Sequence, residues 1–553
     1  MAPYDPERLY RALLARDSRF DGMFFVGVTS TGIYCRPVCP APTPRSDRCR
    51  YYASAAAAER RGFRPCLRCR PELAPGRALD VSREADAVAS IDAVERLART
   101  AAARIAAGAL DHGSLADLAV ALGVSERHLR RSVERVLGAT PVALAQTRRL
   151  LTAKQLLTET ALPVTQVAIA SGFSSLRRFN ALFREQYRLA PTALRRAGLP
   201  VAAAEAPSVG PPAPSGADAS ITLSLAYRPP LEWPTLHAYL AGRATPGVEA
   251  AGHERGGWYA RTISLGSASG WVIVSPRNAR RRNGRGGASL HHHALRVELS
   301  TALLPVLVPL LARLRRLFDL DAVPDVIDAH LASDERLAPL VRRRPGLRLP
   351  GTVDAAELTV RAILGQQVSV RGATTLAGRL IASLGEPTPP DARPLRPELS
   401  SLTHRPLEIA RLADASTERI AAIGLPRARA EALRATARAI ADGTFPELTS
   451  TAPVADPALL VRRMLELPGV GSWTAEYVVM RALHWPDAFP SGDLGLRKVM
   501  GGVSPAKLRT ASERWRPWRA YAAQHLWAGA SDAPPATSAR PARRAARRTS
   551  GAE

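Results

Sequence analysis

Five cysteines lie within the first 69 residues, and four of them have the spacing of a metal site. Cys35 and Cys39 form one close pair, and Cys66 and Cys69 form a second pair after a gap of 26 residues. Two close thiol pairs far apart in the sequence suit a tetrahedral Zn²⁺ ion. Cys49 falls outside the pattern and is expected to be an ordinary half-buried thiol. On spacing alone, the cluster predicts one zinc ion with a structural role.

A second candidate site lies near the C-terminal end, where LPGVG joins two apolar stretches. The pattern predicts a helix that ends at Leu467, a tight hairpin, and a second helix from about Thr474. Gly469 and Gly471 let the backbone approach a phosphate and aim its N–H groups at it, as helix N-termini do for anions. The hairpin is therefore a candidate phosphate site.

The charge balance indicates the kind of partner that these sites serve. Lys and Arg together number 76, Asp and Glu 49, and the formal net charge is +27. All but three of the basic residues are arginines, which bind phosphate in a planar, bidentate manner. An excess of this size points to a polyanion, and nucleic acid is the leading candidate.

The sequence predicts a soluble protein of the cytoplasm, associated with the nucleoid. Its start, MAPYDPERLYRALLARD, has charges where a signal peptide needs an apolar stretch. The most apolar run, residues 302–312, contains two prolines and is too short to span a bilayer. Because disulfides are rare in a reducing compartment, the cysteine cluster needs another explanation.

Composition divides the chain near residue 200. Residues 198–220 contain five prolines but no aromatic and no basic residue. Such a segment cannot bury enough apolar area to fold, so we expect a semi-stiff tether that could reach on the order of 60–70 Å. The tail 531–553 is predicted to be disordered, and the insert 277–287 to be a mobile basic loop. The histidines at 291–293 are expected to be surface residues rather than metal ligands.

Residues 85–196 are predicted to be helical and to contain an internal pseudo-repeat. In each copy a glycine, Gly123 or Gly172, ends one helix, and a second helix follows. Residues 141–160 are predicted to form one amphipathic connecting helix. Apolar residues are expected to form the core of the two copies: Leu115, Leu118, Ala119, Leu122, Phe173, Phe179 and Phe183.

The remaining ranges complete a multidomain, mainly α fold. Residues 221–325 combine β-type runs (ITLSLAY, WVIVS, LRVELS) with a helix around Leu303–Leu317, and they predict an α+β domain. Residues 326–529 have a helical pattern throughout. The expected order is a small zinc-bound α+β domain, an all-α double helix-turn-helix domain, the α+β domain and an all-α helix-hairpin-helix domain.

GIYCRPVC and GFRPCLRC, both within the first 75 residues, closely resemble the N-terminal domain of Ada-type adaptive-response proteins. The resemblance implies that residues 1–78 form this domain, with one Zn²⁺ held by Cys35, Cys39, Cys66 and Cys69. It also implies that Cys35 accepts a methyl group from methylphosphotriesters in DNA. Zinc keeps a thiol as thiolate, the nucleophilic form. Methylating one sulfur removes a negative charge and should tighten DNA binding, which makes an electrostatic switch.

No cysteine follows Cys69. Some Ada-type regulators carry a second acceptor cysteine for O6-methylguanine in a C-terminal domain. That activity is therefore excluded for this sequence.

The two helical pairs, whose glycines lie 49 residues apart, resemble the AraC-type DNA-binding domain, most strongly at GFSSLRRFNALFREQY. The resemblance implies that each second helix enters a major groove. The residues expected near phosphates or base edges are Ser125, Glu126, Arg127, Arg130, Ser174, Ser175, Arg177 and Arg178. The alternative for the arginines is a solvated helix face.

The hairpin, with Asp493 20 residues after Trp473, resembles the helix-hairpin-helix DNA glycosylase superfamily. The resemblance implies that Asp493 is catalytic and that the DNA backbone and a monovalent cation are bound by the hairpin residues Leu467, Gly469, Val470 and Gly471. Members that also cleave the strand have a lysine at the position of Trp473, so the activity is expected to be monofunctional. Some members hold a four-cysteine iron–sulfur cluster after the aspartate, and this sequence has none.

Over residues 221–529 the sequence resembles the AlkA-type 3-methyladenine glycosylases, notably at YRPPLEWPTLHAYLAGR, LRLPGTVDAAELTVRAILGQQVSV and ERWRPWRAYAAQHLW. The resemblance implies a base pocket lined by Trp473, Tyr477, Trp527 and Tyr239. It also implies a wedge at Gln367, a position that is apolar in the best-known member. Aromatic faces attract cationic bases such as 3-methyladenine, by roughly 1–3 kcal/mol per base. For Trp515 and Trp518 we expect core packing instead.

Taken together, the resemblances predict a fused alkylation-damage protein. Its first half is a methylphosphotriester-sensing transcription activator, and its second half is a monofunctional glycosylase of the DNA-3-methyladenine glycosylase II type. Expected partners are alkylated and promoter double-stranded DNA and RNA polymerase, with the protein a monomer. Two alternatives stay open: a regulator whose C-terminal half only binds damaged DNA, and a glycosylase whose first half is only a DNA-affinity module.

Overall fold

The computed structural model describes residues 5–76, 93–196, 219–277, 293–389, 392–394, 396–449 and 456–532. Several sequence predictions lie outside these residues: the linker over 198–218, the basic insert over 278–287, two of the three histidines at 291–293, and the tail from 533. The third histidine, His293, is exposed, as expected of a surface residue. The described architecture is multidomain and mainly helical, with two antiparallel-rich sheets.

The N-terminal unit is a small α+β domain. Its elements are α1 (Pro6–Leu14), β1 (Phe25–Val28), β2 (Ile33–Cys35), β3 (Cys49–Tyr52), α2 (Ala55–Glu59) and β4 (Arg64–Pro65). The strand order is β3-β1-β2-β4, with β2 and β4 parallel and the other pairs antiparallel. Leu9, Phe24 and Val26 form its core together with the buried thiol of Cys49. This sheet brings the end of β2 beside the end of β4.

The second unit contains two helix-turn-helix pairs. Its helices are α3 (Ala93–Ala106), α4 (Ala109–His112), α5 (Leu115–Val120), α6 (Glu126–Leu137), α7 (Pro141–Glu159), α8 (Val164–Ala170), α9 (Leu176–Tyr187) and α10 (Pro191–Arg196). The turns occur at the predicted glycines, where φ is +67° at Gly123 and +91° at Gly172, a conformation that favours glycine. Ser125 and Ser175 cap the helices that follow. Phe173, Phe179 and Phe183 are buried, which confirms the predicted core of the second pair.

The third unit is an α+β layer. It comprises β5 (Ser220–Ala226), α11 (Trp233–Ala241), β6 (Glu249–Gly252), β7 (Trp258–Leu265), β8 (Ala268–Pro276), β9 (Ala294–Ser300) and α12 (Leu307–Leu317). The antiparallel sheet has the order β5-β9-β8-β7-β6. The sequence predicted β5, β8 and β9 and did not predict β6 and β7.

The rest of the described chain is helical. Its helices are α13 (Pro324–Leu331), α14 (Ala338–Arg343), α15 (Ala355–Leu364), α16 (Val370–Leu384), α17 (Ile409–Asp414), α18 (Thr417–Ala421), α19 (Arg427–Ala441), α20 (Pro446–Thr449), α21 (Pro457–Met464), α22 (Ser472–Ala482), α23 (Leu494–Val499), α24 (Pro505–Ser512) and α25 (Arg519–Asp532). Two hydrophobic clusters, one around Leu433 and Val478 and one around Trp515 and Leu526, hold this bundle together. Trp515 and Trp518 are buried, as predicted for core residues.

Several predicted boundaries differ from the structure, and the helix predicted around Leu303–Leu317 is α-helical only from Leu307. The helix before the hairpin ends at Met464 rather than Leu467, and its last turns tighten to i−3 bonds because Pro468 disfavours the helical conformation of the preceding residue. Ser220, predicted to be linker, is the first residue of β5 and pairs with Ser300. Residues 531–532, predicted to be tail, extend α25.

The two halves of the chain pack directly against each other, which the prediction of a tether did not indicate. Buried residues of α7, α8 and α9 belong to the same hydrophobic cluster as those of β5, β9 and α12. The Glu159 carboxylate accepts from the Ser224 backbone N–H at 2.9 Å, and the Gln155 amide donates to the Ser224 carbonyl at 2.9 Å. Apolar burial across this contact holds the halves together independently of the linker.

Arg228 makes a second connection, between the N-terminal unit and the C-terminal half. It is only 1% exposed, and burial lowers its pKa to about 10. Its guanidinium donates to the carbonyls of Asp21 at 3.0 Å, Asp321 at 2.7 Å and Gly76 at 2.7 Å. These three segments are thereby fixed around one side chain.

Within the described residues, no helix is both long enough and apolar enough to cross a membrane.

The contact between the N-terminal unit and α7 should depend on pH through Glu59. This carboxyl accepts from Tyr34 Oη and Thr147 Oγ1, and burial raises its pKa from 4.5 to about 7. The folded state therefore holds a proton that the unfolded chain releases above pH 4.5, so this group's contribution to stability falls as the pH rises to about 7. In thermal unfolding, the melting temperature of Glu59→Gln should rise relative to that of the wild type between pH 4.5 and about 7. Above about pH 7 the difference between the two melting temperatures should stay constant. The exposed Glu185→Gln is the control; a pH-independent difference for Glu59→Gln would contradict the prediction.

Candidate functional site

The four predicted cysteine ligands converge in the N-terminal unit. Cys35 ends β2, and Cys66 directly follows β4, so the parallel pairing of these strands brings the two segments together. Cys39 and Cys69 lie in the turns that follow. All four Sγ atoms lie within 4.8 Å of one another. A tetrahedron with Zn–S bonds of 2.3 Å has sulfur–sulfur edges of about 3.8 Å, so the donor set fits Zn²⁺.

Backbone N–H groups donate to two sulfurs of the cluster. The Arg36 backbone N–H donates to Cys69 Sγ at 3.3 Å, and the Cys69 N–H donates to Cys66 Sγ at 3.5 Å. Hydrogen bonds from neighbouring thiols lower the pKa of Cys66, whereas burial raises the pKa of Cys69. Without a cation, the four thiols cannot all be ionised at this spacing.

Cys35 is the most accessible of the four. It is half-buried, whereas Cys39, Cys66 and Cys69 are buried. Cys49 lies outside the cluster, where its Sγ contacts the Arg45 carbonyl at 3.4 Å. A reagent that arrives from solvent therefore meets Cys35 first.

The predicted DNA-contacting residues of the two helix-turn-helix pairs all lie at the surface. These are Ser125, Glu126, Arg127 and Arg130 at the start of α6, and Ser174, Ser175, Arg177 and Arg178 at the start of α9. Packing of α9 against the rest of the molecule uses the opposite face, which carries Phe179, Phe183 and Tyr187. The arginines thus stay accessible to solvent.

Asp493 lies at the centre of a set of neutral donors in the C-terminal half. Its Oδ2 accepts from Trp473 Nε1 at 2.9 Å, and its Oδ1 accepts from Trp527 Nε1 at 3.0 Å. Oδ1 also accepts from the Leu496 backbone N–H at 2.9 Å, because Asp493 caps α23. The structure therefore brings together three predicted site residues, one from α22, one from α25 and one between them.

An aromatic surface continues from Trp473 toward the α+β layer. Trp473 and Tyr477, one turn apart on α22, stack with ring centres 5.3 Å apart and planes 12° from parallel. The Tyr477 hydroxyl lies 3.0 Å from that of Tyr239 on α11, and Arg481 donates to both hydroxyls at 2.6 Å. Burial raises the pKa of Tyr239 to about 12; at Tyr477 burial is outweighed by the charge of Arg481, which lowers its pKa.

The hairpin and the predicted wedge meet at Gln366. Gly469, with a φ of +73°, and Gly471 are exposed, while the Val470 side chain is buried beneath them. Gln366 donates to the Gly469 carbonyl at 2.9 Å and to Thr474 Oγ1 at 3.0 Å. Its neighbour Gln367 is exposed and has a φ of +57°, so it stands at the tip of a tight turn beside the hairpin.

Sequence reasoning missed Arg481 and Gln366. Arg481 follows Tyr477 by four residues, so helical spacing alone could have placed both on one face. Gln366 adjoins the predicted wedge, but its bond to the hairpin joins segments 103 residues apart. No local signal in the sequence carries such a contact.

Four family models match the chain. The metal binding domain of Ada matches residues 8–72, and a helix-turn-helix domain matches residues 118–197. The AlkA N-terminal domain matches residues 222–354, and the HhH-GPD superfamily of base excision DNA repair proteins matches residues 360–519. These matches confirm the predicted fusion of an Ada-type zinc domain, a helix-turn-helix domain and an AlkA-type glycosylase.

Curated relatives follow the same division. The "DNA-3-methyladenine glycosylase 2" of Escherichia coli is 35% identical over 55% of this chain and 96% of its own length. The "Bifunctional transcriptional activator/DNA repair enzyme AdaA" of Bacillus subtilis is 27% identical over 34% of this chain and 81% of its own. The "Probable bifunctional transcriptional activator/DNA repair enzyme AlkA" of Mycobacterium tuberculosis is 40% identical over 95% of this chain and 96% of its own. With that identity over nearly the whole of both sequences, this chain belongs to the family of bifunctional transcriptional activator/DNA repair enzymes of the AlkA type.

Proposed function

We propose that the chain excises alkylated bases such as 3-methyladenine from DNA and regulates transcription in response to DNA methylation. The observation that carries the excision activity is the Asp493 carboxylate, held by two indole N–H groups beside an aromatic surface. This arrangement supports an N-glycosyl hydrolase of the DNA-3-methyladenine glycosylase II type. A module that only binds damaged DNA has no need of an oriented carboxylate there.

In the proposed reaction the lesion base leaves with the electrons of the glycosidic bond. Positive charge then develops on the sugar, and the Asp493 carboxylate stabilises it electrostatically. Water attacks the sugar carbon and loses a proton, which leaves an abasic site and the free base. An alkylated base already carries positive charge, so it leaves without strong acid catalysis. Trp473 occupies the position that a Schiff-base lysine would need, which supports a monofunctional reaction.

Capture of the flipped base is assigned to the aromatic surface of Trp473, Tyr477, Trp527 and Tyr239. A cationic base is attracted to aromatic faces, and the flipping cost of a few kcal/mol is smaller for damaged pairs. Gln367 at its turn is the proposed wedge that fills the vacated space. The hairpin of Leu467, Gly469, Val470 and Gly471 is proposed to hold the DNA backbone, together with a monovalent cation.

Cys35 is the proposed methyl acceptor. When bound, zinc keeps the sulfurs as thiolates at neutral pH. The Cys35 sulfur would attack the methyl carbon of a methylphosphotriester, and the carbon–oxygen bond would break with its electrons passing to the phosphate oxygen. The products are a thioether and an ordinary phosphodiester. The site loses one negative charge, so its repulsion of DNA falls and the helices with Arg127, Arg130, Arg177 and Arg178 bind promoter DNA more tightly.

The remaining partners follow from this scheme. A transcription activator acts on RNA polymerase, which we propose as the protein partner. We further propose that the chain works as a monomer, with both DNA-binding halves on one molecule, at the nucleoid of the cytoplasm.

Asp493→Asn should lower the rate of 3-methyladenine release by about 10²–10³, the usual cost of removing one oriented electrostatic stabiliser. Affinity for an abasic duplex should persist, because the hairpin is unchanged. Single-turnover release of free base, with binding measured in parallel, tests both statements. Asp442→Asn, which changes an exposed aspartate elsewhere in the bundle, is the control. Release at the wild-type rate by Asp493→Asn would overturn the catalytic assignment of Asp493, whereas binding without release by the wild type would assign this half to damage binding alone.

The purified protein should contain one zinc ion per chain. Cys66→Ser should lose the metal and unfold the N-terminal unit, since such sites fold by binding metal. Cys49→Ser should retain it, because Cys49 lies outside the cluster. Metal analysis and circular dichroism distinguish these results; stoichiometric zinc in Cys66→Ser would overturn the ligand assignment.

Incubation with methylphosphotriester DNA should place one methyl group on Cys35 and none on Cys49, detectable by peptide mass spectrometry. The methylated protein should bind a promoter duplex, selected from a random library, more tightly than the unmethylated protein. Because the difference is electrostatic, it should shrink as salt rises. A difference that is independent of salt would contradict the charge mechanism.

A further inference from the structure

A large cavity lies where the N-terminal unit, the helix-turn-helix unit and the C-terminal half meet. Its volume is about 1520 Å³. Residues of α1, α3, α7 and α12 line it, and α25 contributes Trp518 and Tyr521. Asp493, Trp473 and the cysteine cluster are not among its described lining residues, so the cavity is separate from the cysteine cluster and from the Asp493 site.

The described lining is strongly basic. Nine arginines face three aspartates, and they come from all three units: Arg8, Arg11, Arg19, Arg99, Arg104, Arg148, Arg313, Arg315 and Arg316. Two of the aspartates are already engaged, because Asp17 pairs with Arg19 and Asp321 pairs with Arg315. Arg99 and Arg148 pair with Glu95 and Asp111, which lie outside the described lining, and the arginines of the wall still outnumber the carboxylates that pair with them.

Several of these guanidinium groups lack the partners that buried charges need. In the described part of the chain, Arg316 makes no side-chain hydrogen bond or ion pair, and its Nη1 is buried. Among the described residues, Arg104 donates only to the Ala121 carbonyl, at 3.2 Å, and its Nε is buried without an acceptor there. Arg148 shares one carboxylate, that of Asp111, with Arg149, and its Nε and Nη1 are buried without acceptors within the same described ranges.

Burial disfavours the charged form of these guanidinium groups and lowers their pKa values. It lowers the pKa of Arg316 to about 10 and lowers the pKa of Arg104 and of Arg148 as well. A buried charge without a counter-charge is strongly destabilising. The same lining has one indole donor without an acceptor among the described residues, Trp518 Nε1.

We propose that this cavity binds a phosphate-bearing anion that bridges the three units. Guanidinium groups match phosphate oxygens bidentately, and several converging on one site suit a ligand with more than one phosphate. The ligand supplies the acceptors that Arg104, Arg148 and Arg316 lack. Its phosphates can come from a free nucleotide or from the DNA backbone, and the chemistry of recognition is the same.

The test uses the full-length protein with zinc bound and tripolyphosphate as the first probe. Calorimetry should show saturable binding to one site, and the probe should raise the melting temperature, because it binds the folded state. Arg316→Met and Arg104→Met keep most of the side-chain volume and remove the charge. Each should weaken binding about tenfold or more, since a hydrogen bond to a charged group contributes about 1.5–3 kcal/mol. Arg342→Met, an exposed residue of α14 outside the cavity, should bind as the wild type does.

Hydrogen exchange locates the site even if one variant folds poorly. Tripolyphosphate should protect amides of residues 99–107 and 313–319 in the wild type. ATP and a short undamaged duplex then distinguish the source. If ATP binds more strongly than the duplex and Arg316→Met leaves the affinity for the duplex unchanged, the ligand is a nucleotide. If Arg316→Met weakens the binding of the duplex and of tripolyphosphate by the same factor, the ligand is the DNA backbone.

Two results would overturn the proposal. One is binding of tripolyphosphate that is equal in the wild type, Arg316→Met and Arg104→Met. The other is binding of tripolyphosphate that occurs only after Asp80, Glu84, Asp86 and Asp92 are replaced by the corresponding amides. That result would assign the arginines to an acidic segment of the chain itself, residues 77–92. That segment lies outside the described residues.

Discussion

A buried pair of opposite charges, Glu72 with Lys154, holds the zinc-binding unit to the rest of the molecule. The two groups are 2.6 Å apart and are 1% and 0% exposed. Arg70 and Glu159 extend the pair to four charges, each no more than 6% exposed. Removing one partner from such a network leaves an uncompensated charge, which typically costs about 3–5 kcal/mol. The position of α7 against the segment of residues 66–72, which carries Cys66 and Cys69, is therefore strongly constrained.

This network also connects the cysteine cluster to both DNA-directed halves. Lys154 Nζ lies 3.3 Å from the Cys66 carbonyl, and α7, which carries Lys154, joins the two helix-turn-helix pairs. Glu159 then reaches β5 through Ser224, and Arg228 ties the N-terminal unit to the C-terminal half. In the proposed switch, a change of charge at the sulfurs would act on neighbours that are shared by all the units. The two halves are connected here by direct packing.

The sequence predicted what depends on local spacing. The cysteine pairs, the turns at Gly123 and Gly172 and the hairpin at Gly469 all lie where the pattern put them. The sequence did not predict β6 because this strand is short and half-buried. It did not predict β7 because polar residues interrupt the apolar pattern of that strand. The packing of the halves, the bond of Gln366 to the hairpin and the bonds of Arg481 to Tyr239 and Gly351 join segments far apart in the chain, and no local pattern encodes them.

The hydrogen-bond partners of Asp493 explain how a carboxylate can keep its negative charge unpaired in so basic a protein. With 76 basic side chains available, the donors that hold Asp493 are two indoles and one backbone N–H. In the described part of the chain no cation lies within ion-pair distance of it. Neutral donors orient a carboxylate without cancelling its charge, whereas an arginine would neutralise that charge in a permanent ion pair. In the proposed reaction, that negative charge is available to the cation that forms while the glycosidic bond breaks.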